Sequence, residues 1–364
     1  MGKTLTEIAK DLNASNKKVQ LIYAFNGTGK TRLSVEFKNL ISPQNADDSG
    51  EENDKPKFLY YNAFTEDLFY WDNDLENDID IKLKIHPNSF TYWLLHDEGK
   101  DNYVKDKFAH YANAKITPYF SPDFSEVKFS TKDEKGNEVE NIKISKGEES
   151  CFVWSIFYSM LDLVIDELNS KKEDRSTDKY DDLAYIFIDD PVTSLDENHL
   201  IKLAVDLATR IRESDSDLKF IVTTHNPLFY NVMCNELSNA KRYRLEKYED
   251  GTYDAKLQKN DSPFSYHLFL LSKLKDAINS NDLQKYHFNM LRNILEKTST
   301  FLGFSQWGDL FQGTNKEKYI TRLINISSHS KVSHMEVSTI TDEDKDMLKS
   351  IMEEITKRYH FNLQ

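Results

Sequence analysis

The segment AFNGTGKT at residues 24–31 has residue types suited to binding phosphate. Gly27 and Gly29 permit a loop whose backbone N–H groups surround a β-phosphate, and Lys30 and Thr31 supply a cation and a hydroxyl for Mg²⁺. The first glycine of the usual pattern is an alanine here, at a position that only joins strand to loop. A plain glycine turn is the alternative reading. The full set of predicted nucleotide-binding loop residues is Asn26, Gly27, Thr28, Gly29, Lys30, Thr31 and Arg32.

Two carboxylates follow a second apolar strand, in the segment YIFIDDPVTSLD at residues 185–196. Asp189 is predicted to hold Mg²⁺ together with Thr31, and Asp190 to orient or deprotonate the water that attacks the terminal phosphate. A helix cap with a turn is the simpler alternative for this pair. The combination with the glycine loop favours hydrolysis of a nucleoside triphosphate.

Three further segments resemble those of ABC-type ATPases. Ser194 and Asp196 stand where that family has its D-loop, and His225 stands where it has a histidine that senses the γ-phosphate, although a core histidine is the alternative. The segment ISKGEES at residues 144–150 resembles the family's signature loop and precedes a helix, whose N-terminus favours anions. Its predicted nucleotide-binding residues are Ser145, Lys146, Gly147 and Glu148.

The resemblance to ABC-type ATPases has consequences for assembly and rate. In that architecture the signature loop meets the nucleotide of a second protomer, so a homodimer or a higher even oligomer is implied. Asp190 replaces the usual glutamate with a shorter side chain, which suggests slow turnover. Only 23 residues precede Ala24, so the antiparallel strands that normally open such a head are expected to be shortened.

These residues need an α/β scaffold to bring them together. Continuous apolar strands at 18–25, 183–190 and 218–225, separated by helical patterns, indicate a mostly parallel sheet. After about residue 255 only helical patterns remain. We therefore predict an ABC-type P-loop ATPase head at 1–255, followed by a mainly α-helical domain at 256–364.

Composition narrows the class of protein. The 364-residue chain is 39% hydrophobic, which is enough for a substantial core, and its net charge is −14. The acidic residues are concentrated in residues 1–255, and residues 256–364 are slightly basic. A polyanion should therefore approach this C-terminal tail. Two cysteines without a disulfide framework, no secretory signal and no apolar run long enough for a membrane span indicate a cytoplasmic protein.

The tail contains a second group of chemically capable residues. Arg292 and Glu296 are four residues apart on a predicted helix, which places them on one face, and His329 and His334 follow. An ordinary salt bridge is the simplest reading of the first pair. His329 alone is most simply structural or exposed.

Nearly the whole chain resembles the PrrC-type anticodon nucleases. The segments that carry the resemblance are MGKTLTEIAKDL, KVQLIYAFNGTGKTRLS, YYNAFTEDLFYWDNDL, KGEES, FIDDPVTSLDENHLI, TTHNPLFYNV and FSYHL. The resemblance implies that the head regulates a C-terminal ribonuclease, which cuts the anticodon loop of a tRNA, typically the lysine tRNA, beside the wobble base. It also implies an antiphage role, latency within a type I restriction–modification complex, and a catalytic triad of Arg292, Glu296 and His329.

Such a triad suits RNA cleavage without a metal ion. The 2′-OH of the RNA attacks its own phosphate, so a base, an acid and a cation are needed. Glu296 and His329 can divide the first two roles, in an order that stays open, and Arg292 can hold the phosphate oxygens with its planar fork. The expected ends are a 2′,3′-cyclic phosphate and a 5′-OH.

The segment NDSPFSYHL at 260–268 resembles a family motif that reads the wobble base. The predicted substrate-binding residues are Asp261, Ser262, Tyr266 and His267, with a helix-capping turn as the alternative for the first two. Base stacking could use Tyr266, Tyr286, Phe288 or Trp307. The effector stays open between ATP, GTP and a deoxynucleotide. An ABC-type clamp or signalling ATPase with a non-catalytic docking tail is the alternative function.

Overall fold

The computed structural model describes most of the chain, in two compact units of residues 1–264 and 265–364. The sequence-based boundary is at 255/256. The described residues are 2–43, 55–62, 69–73, 79–86, 89–112, 115–191, 195–258, 266–311, 317, 319–321, 323 and 340–361.

The first unit is built on a six-stranded sheet that is parallel except at one edge. Its spatial order is β11–β10–β1–β9–β8–β2, and only the β10–β11 pair is antiparallel. The predicted α/β fold with a mostly parallel sheet is therefore confirmed. The strand bounds are β1 Val19–Tyr23, β2 Phe58–Asn62, β8 Tyr185–Asp189, β9 Lys219–Thr224, β10 Lys241–Lys247 and β11 Tyr253–Leu257.

Helices cover this sheet because its central strands are buried along their whole length. Strands β1 and β8 have no exposed residue, as expected for parallel strands with both faces covered. A core cluster joins these strands to the apolar faces of the first two helices. Contacts with β1 and β9 place α7 against the sheet as well. The helix bounds are α1 Leu5–Asn13, α2 Lys30–Ile41, α6 Glu197–Arg212 and α7 Pro227–Glu236.

A second, wholly antiparallel sheet lies between β2 and β8 in the sequence. Its order is β3–β4–β6–β5, with β7 paired to β6. Before β1, the described residues contain α1 and one isolated bridge at Lys3, and no antiparallel strand pair. The antiparallel strands instead come after β1 and β2 in the sequence. The bounds are β3 Phe69–Asp72, β4 Lys82–Ile85, α3 Ser89–Tyr92, a π-helix Trp93–Asp97, α4 Asp101–Tyr111, β5 Ile116–Phe120, β6 Glu126–Lys132 and β7 Glu138–Val139.

The longest helix, α5 (Lys146–Asn169), packs against both sheets. Phe152 contacts aromatic rings of β3, β5 and β6, whereas Phe157 packs on Tyr61 of β2 with ring centroids 4.1 Å apart. This is why α5 is apolar all round: sixteen of its residues are buried. The packing fixes the N-terminus of α5, where the predicted signature loop lies.

The second unit is helical in its described residues. Helices α8 (Tyr266–Asn279), α9 (Lys285–Phe301) and α10 (Asp342–Arg358) pack on one another, and a short 3₁₀ turn spans Trp307–Leu310. Their buried leucine, isoleucine and methionine side chains form the core.

Candidate functional site

The predicted phosphate-binding loop connects β1 to α2. Gly27 and Gly29 have φ of 78° and 110°, in the left-handed region that favours glycine. A Cβ at Gly29 would also lie 3.4 Å from the ring of Tyr253. Both glycines are therefore required by the backbone, and the loop leads directly into the N-terminus of a twelve-residue helix. The geometry is that of an anion-binding loop.

Lys30 is buried, with 8% of its surface exposed, and its ammonium group faces oxygen atoms. Its Nζ lies 3.2 Å from Asn26 Oδ1, 3.4 Å from the Ala24 carbonyl and 3.3 Å from Asp190 Oδ2. A buried ammonium needs such partners to offset desolvation. The lysine is thus held in the loop beside the carboxylate at the end of β8.

Asp189 is almost fully buried, and its carboxylate accepts hydrogen bonds from three hydroxyl groups. Thr31 and Tyr60 donate to its Oδ2 over 2.7 and 3.1 Å, and Thr223 donates to its Oδ1 over 2.5 Å. Burial, followed by the charge of Asp189, raises the pKa of the Tyr60 phenol, which keeps this donor protonated. Thr31 and Asp189 therefore meet, as the sequence predicts.

Asp190 and His225 also meet. His225 Nδ1 lies 2.5 Å from Asp190 Oδ2, and the His225 backbone N–H donates to Oδ1 over 3.2 Å. Asp190 has a φ of 52°, a left-handed conformation that is strained for a residue with a Cβ. Its own N–H donates to the Thr223 carbonyl over 2.9 Å. The strained backbone turns the carboxylate toward Lys30 and His225.

The surroundings of Asp190 favour its charged form. Burial alone would raise the pKa of this carboxyl, but the hydrogen bonds from His225 and the charge of Lys30 outweigh it, and the net pKa is lowered. A lowered pKa makes the group a weaker base. Orientation of a water molecule suits this carboxylate better than removal of its proton.

The residues present fit a nucleotide with Mg²⁺. The loop has left-handed glycines and open space at Gly27, a buried lysine, and a threonine hydroxyl beside a buried carboxylate. Hydroxyl and carboxylate oxygens are the ligands Mg²⁺ prefers, with phosphate oxygens completing the set. Among the described residues, no group of three or more His, Cys, Asp or Glu side chains could hold a metal ion alone.

The predicted signature loop and D-loop line one cavity of about 450 Å³. Ser145 caps α5 by accepting from the Glu148 N–H, and the Glu148 carboxylate accepts in return from the Ser145 N–H. Asp196 caps α6 and contacts His199 Nδ1 at 2.7 Å. Ser194 lies outside the described residues. The described lining is Ala112, Ser145, Gly147, Glu148, Cys151, Leu195, Asp196 and His199.

Lys146 of the same loop points to solvent, with 71% of its side chain exposed, and pairs with the buried Glu149 at 3.1 Å. Trp71 of β3 donates to that same carboxylate over 2.9 Å. The antiparallel sheet therefore helps to fix the first turn of α5. Arg32 is exposed on α2 and donates to the Tyr253 hydroxyl over 3.3 Å.

In the second unit, the structure brings Arg292 and Glu296 together on α9. Arg292 Nε lies 2.8 Å from Glu296 Oε1, and 35% and 46% of the two side chains are exposed. The pair is therefore accessible to a substrate. His329 lies outside the described residues, so its position relative to the pair stays a prediction.

Of the four predicted substrate-binding residues, Asp261 and Ser262 lie outside the described residues. Tyr266 and His267 open α8, half-buried, with ring centroids 5.2 Å apart. Burial, and then the charge of Lys297, lower the pKa of His267, so this imidazole is neutral near pH 7. Of the other candidate stacking residues, Phe288 is buried in the core, Trp307 is half-buried, and Tyr286 is exposed.

Sequence reasoning missed three residues at the nucleotide site. Tyr60 on β2 and Thr223 on β9 both hydrogen-bond to Asp189, and Thr224 donates to Asp190 over 3.3 Å. A signal was available, because the carboxyl ends of parallel strands meet at one edge of the sheet. The strand register pairs Asp189 with Thr223 directly.

A family model described as an AAA domain matches residues 123–357, which is more than half of the chain. The match runs from the antiparallel sheet into α10. It supports nucleotide binding by the protein. No helix within the described part of the chain combines the length and the apolarity needed to cross a membrane.

Solved structures of SMC heads show weaker similarity. An SMC head with a coiled coil from Pyrococcus yayanosii is 14% identical, with a TM-score of 0.29, over 45% of this chain and 27% of that one. The SMC head domain from Thermotoga maritima is 11% identical, with a TM-score of 0.31, over 67% and 91%. Both TM-scores are below 0.5.

Among curated proteins, an anticodon nuclease from Escherichia coli is 48% identical, over 99% of this chain and 98% of that protein. The similarity therefore includes both structural units and the segments quoted above. The resemblance drawn from those segments is confirmed. The chain belongs to the anticodon nuclease family and carries an AAA domain.

Proposed function

We propose that this protein is a nucleotide-regulated endoribonuclease that cuts the anticodon loop of a tRNA. The observation that carries the proposal is the 48% identity to an anticodon nuclease across both units. The accessible Arg292–Glu296 pair in the tail supports it further, because a phosphate-binding cation and a carboxylate stand side by side.

The proposed cleavage needs only groups of the RNA and of the tail. The 2′-oxygen forms a bond to phosphorus while a base removes its proton, and the bond from phosphorus to the 5′-oxygen breaks as an acid protonates the leaving oxygen. Glu296 and His329 fill these two roles. The products are a 2′,3′-cyclic phosphate and a 5′-OH, and no metal ion takes part in our proposal.

Arg292 suits the remaining role, which is to stabilise the charged phosphorane. A guanidinium carries five N–H donors in a planar fork, and the Nε of Arg292 lies 2.8 Å from a carboxylate oxygen of Glu296. The helix fixes the spacing of Arg292 and Glu296, so both groups are positioned before RNA arrives. Proton transfer by the acid and base contributes about 10²–10⁴ in rate, and the rest comes from positioning and charge stabilisation.

In the head, Lys30 and the backbone of the glycine loop bind the phosphates, and Thr31 and Asp189 hold Mg²⁺, which neutralises charge on the phosphate oxygens when bound. Asp190 orients the attacking water, and His225 holds Asp190 in place through the 2.5 Å contact. Because Asp190 is shorter than the glutamate usual at this position, we expect slow hydrolysis. A slow step suits a timer for the nuclease.

The signature loop supports a dimer as the active form. The described lining of the 450 Å³ cavity contains no residue of the phosphate-binding loop 26–32. Ser145, Gly147 and Asp196 are therefore available to a nucleotide carried by a second copy. We propose a homodimer, or a higher even oligomer, in which each nucleotide is shared between two heads.

The finer parts of the proposal come from the family resemblance. The substrate is the lysine tRNA, cut beside the wobble base; ATP, GTP or a deoxynucleotide is the effector; and a type I restriction–modification complex holds the protein latent until phage infection. Tyr266 and His267, which open α8, contact the anticodon together with Asp261 and Ser262.

The test is to map RNA ends after purified protein is incubated with total tRNA, with and without each nucleotide and with EDTA. We expect a single cut in one anticodon loop, cyclic phosphate ends, dependence on nucleotide, and persistence in EDTA once the protein is activated. His329→Ala should abolish cleavage and leave nucleotide hydrolysis intact. Intact tRNA under all conditions, with hydrolysis present, would instead indicate a clamp or signalling ATPase.

A further inference from the structure

One ridge of α9 consists of exposed residues at intervals of four. Side chains four apart on a helix are neighbours on its surface, so these residues form a continuous row about 24 Å long, at 1.5 Å rise per residue. All five are exposed, and none is acidic. The row, called the α9 ridge below, is Lys285, Asn289, Asn293, Lys297 and Phe301.

The α9 ridge lacks the carboxylates of the neighbouring helix α10, whose exposed side chains also include Lys349 and Lys357. The chain has a net charge of −14, and the neighbouring helix α10 exposes four carboxylates, at Asp342, Glu343, Asp346 and Glu353. The α9 ridge exposes two ammonium groups and two carboxamides instead. A surface with lysines and without carboxylates attracts a polyanion, because each lysine that meets a phosphate releases a bound counterion.

The ridge ends in an aromatic ring that is open to solvent. Phe301 is 90% exposed, and Tyr286, on the adjacent row, is 57% exposed. A phenylalanine so exposed contributes little to the fold, and its ring is open to contact with a ligand. Exposed aromatic rings next to cationic side chains are the typical recognition surface for unpaired RNA bases, which stack on the rings.

Two observations place the ridge near residues already proposed to act on RNA. Arg292 and Glu296 form the next row of the same helix, each one residue before Asn293 and Lys297. Lys297 is also near enough to His267 for its charge to help lower the pKa of that imidazole. The ridge therefore adjoins the proposed catalytic pair, and its Lys297 influences a proposed anticodon-binding residue.

We infer that the α9 ridge is the surface on which the single-stranded anticodon loop binds, with Lys285 and Lys297 on its phosphates and Phe301 stacked on an unpaired base. This inference rests on the proposed function and assigns its RNA-binding surface. Asn289 and Asn293 lie between the two lysines and can hydrogen-bond to phosphate or base edges. The row beside them presents Arg292 and Glu296 to the phosphate that is cut.

The first test compares two double variants by binding. The probe is the anticodon stem–loop of lysine tRNA with 2′-O-methyl groups throughout the loop, which removes the attacking hydroxyl. Lys285→Ala with Lys297→Ala should weaken binding and reduce the slope of log affinity against log salt by about 1.4, from two single-strand phosphate contacts. The matched control, Lys349→Ala with Lys357→Ala on α10, removes the same charge and should keep the wild-type slope.

The second test separates stacking from apolar packing. Phe301→Leu keeps an apolar side chain but loses the aromatic face, so the probe should bind about 5- to 150-fold more weakly. Phe301→Trp should bind as well as wild type or better. If leucine and tryptophan bind RNA equally well, the ring does not stack on a base, and a protein partner becomes the better explanation of its exposure.

The outcomes distinguish this inference from the proposed function. A wild-type protein that neither binds the probe nor cleaves tRNA overturns both. A wild-type protein that cleaves tRNA, while the α9 and α10 double variants lose affinity equally, overturns the ridge alone. Loss of affinity confined to the α9 variants supports the ridge, and their thermal unfolding, matched to that of the controls, excludes misfolding.

Discussion

The two candidate sites are built in different ways. In the head, Asp189 and Asp190 are held by neighbouring strands and by the phosphate-binding loop, through hydrogen bonds that are largely buried. In the tail, Arg292 and Glu296 lie on one helix, less than half exposed, and form an ion pair with each other. The head site is thus part of the core of its unit, whereas the tail pair is a surface feature.

This difference separates stability from activity. A substitution at the head site should affect both folding and chemistry, because the same hydrogen bonds serve both. A substitution at the tail pair should affect chemistry almost alone, since exposed ion pairs contribute about 0–1 kcal/mol. The four predictions below test that contrast.

The largest expected effect is that of Lys30→Ala on nucleotide hydrolysis. Removing a cation from the transferred phosphoryl group should slow hydrolysis by about 10³–10⁵-fold. It also leaves Asp190 without its ammonium partner at 3.3 Å. Phosphate release in single-turnover assays measures the loss, and tRNA cleavage should lose its dependence on nucleotide. Lys38→Ala, exposed on the same helix, is the control; full nucleotide-dependent cleavage in Lys30→Ala would refute regulation by the head.

Glu296→Gln should reduce tRNA cleavage by about 10²–10⁴-fold, because it removes an acid–base group while keeping the side chain's size. Nucleotide hydrolysis and thermal unfolding should stay at wild-type levels. A matched pair exists on α10, where Arg358 Nη2 lies 3.0 Å from Glu354 Oε1 at the same spacing of four residues. Equal cleavage by Glu354→Gln and Glu296→Gln would mean that Glu296 forms only a salt bridge.

Thr223→Val should lower the free energy of unfolding of the head by about 1–3 kcal/mol. The change keeps the shape of a fully buried side chain but removes the hydroxyl that donates to Asp189 over 2.5 Å, so a buried carboxylate loses a partner. Denaturant titration measures the loss. A variant as stable as wild type would show that the hydrogen bond from Thr223 to Asp189 does not contribute to the free energy of unfolding of the head.

The smallest expected effect concerns pH and the tail. Burial lowers the pKa of His287, whose Nδ1 accepts from the Gln284 N–H over 2.8 Å. The unfolded chain therefore takes up a proton more readily, and stability present above about pH 6.5 is lost as pH falls below it.

His287→Gln provides the comparison, because glutamine at this position also suits a capping box and does not titrate. The stability difference between wild type and His287→Gln should shift against wild type from pH 7.5 to 5.5. Thermal unfolding at the two pH values measures the shift. A difference independent of pH would contradict the assigned ionisation.

The proximity of the candidate head residues could be anticipated from the sequence, because they lie at fixed places in an α/β fold. Lys30, Thr31 and His225 follow apolar strands and Asp189 ends one, and the carboxyl ends of parallel strands meet at one edge of the sheet. Tyr60 and Thr223 were missed because their own segments carry no motif. Their contribution depends on which strands are neighbours in the sheet, and that order cannot be read directly from the sequence.

The antiparallel sheet was not predicted for a different reason. Strands such as β4 and β7 have only four and two residues, too few to show a reliable alternation. Phe301 was missed as well, because an apolar residue at a helix end is ordinarily assigned to the core. Only its 90% exposure distinguishes it.

The cap of α5 determines which substitution can test the role of the predicted signature loop. The Ser145 oxygen accepts from the Glu148 N–H, which leaves the hydroxyl proton available to donate to a phosphate oxygen. Alanine at this position would remove the cap and the donor together, so its defect would have two causes. Aspartate caps a helix equally well but has no proton to donate. Ser145→Asp therefore keeps the cap and removes only the proposed hydrogen bond to a nucleotide, whereas alanine removes both.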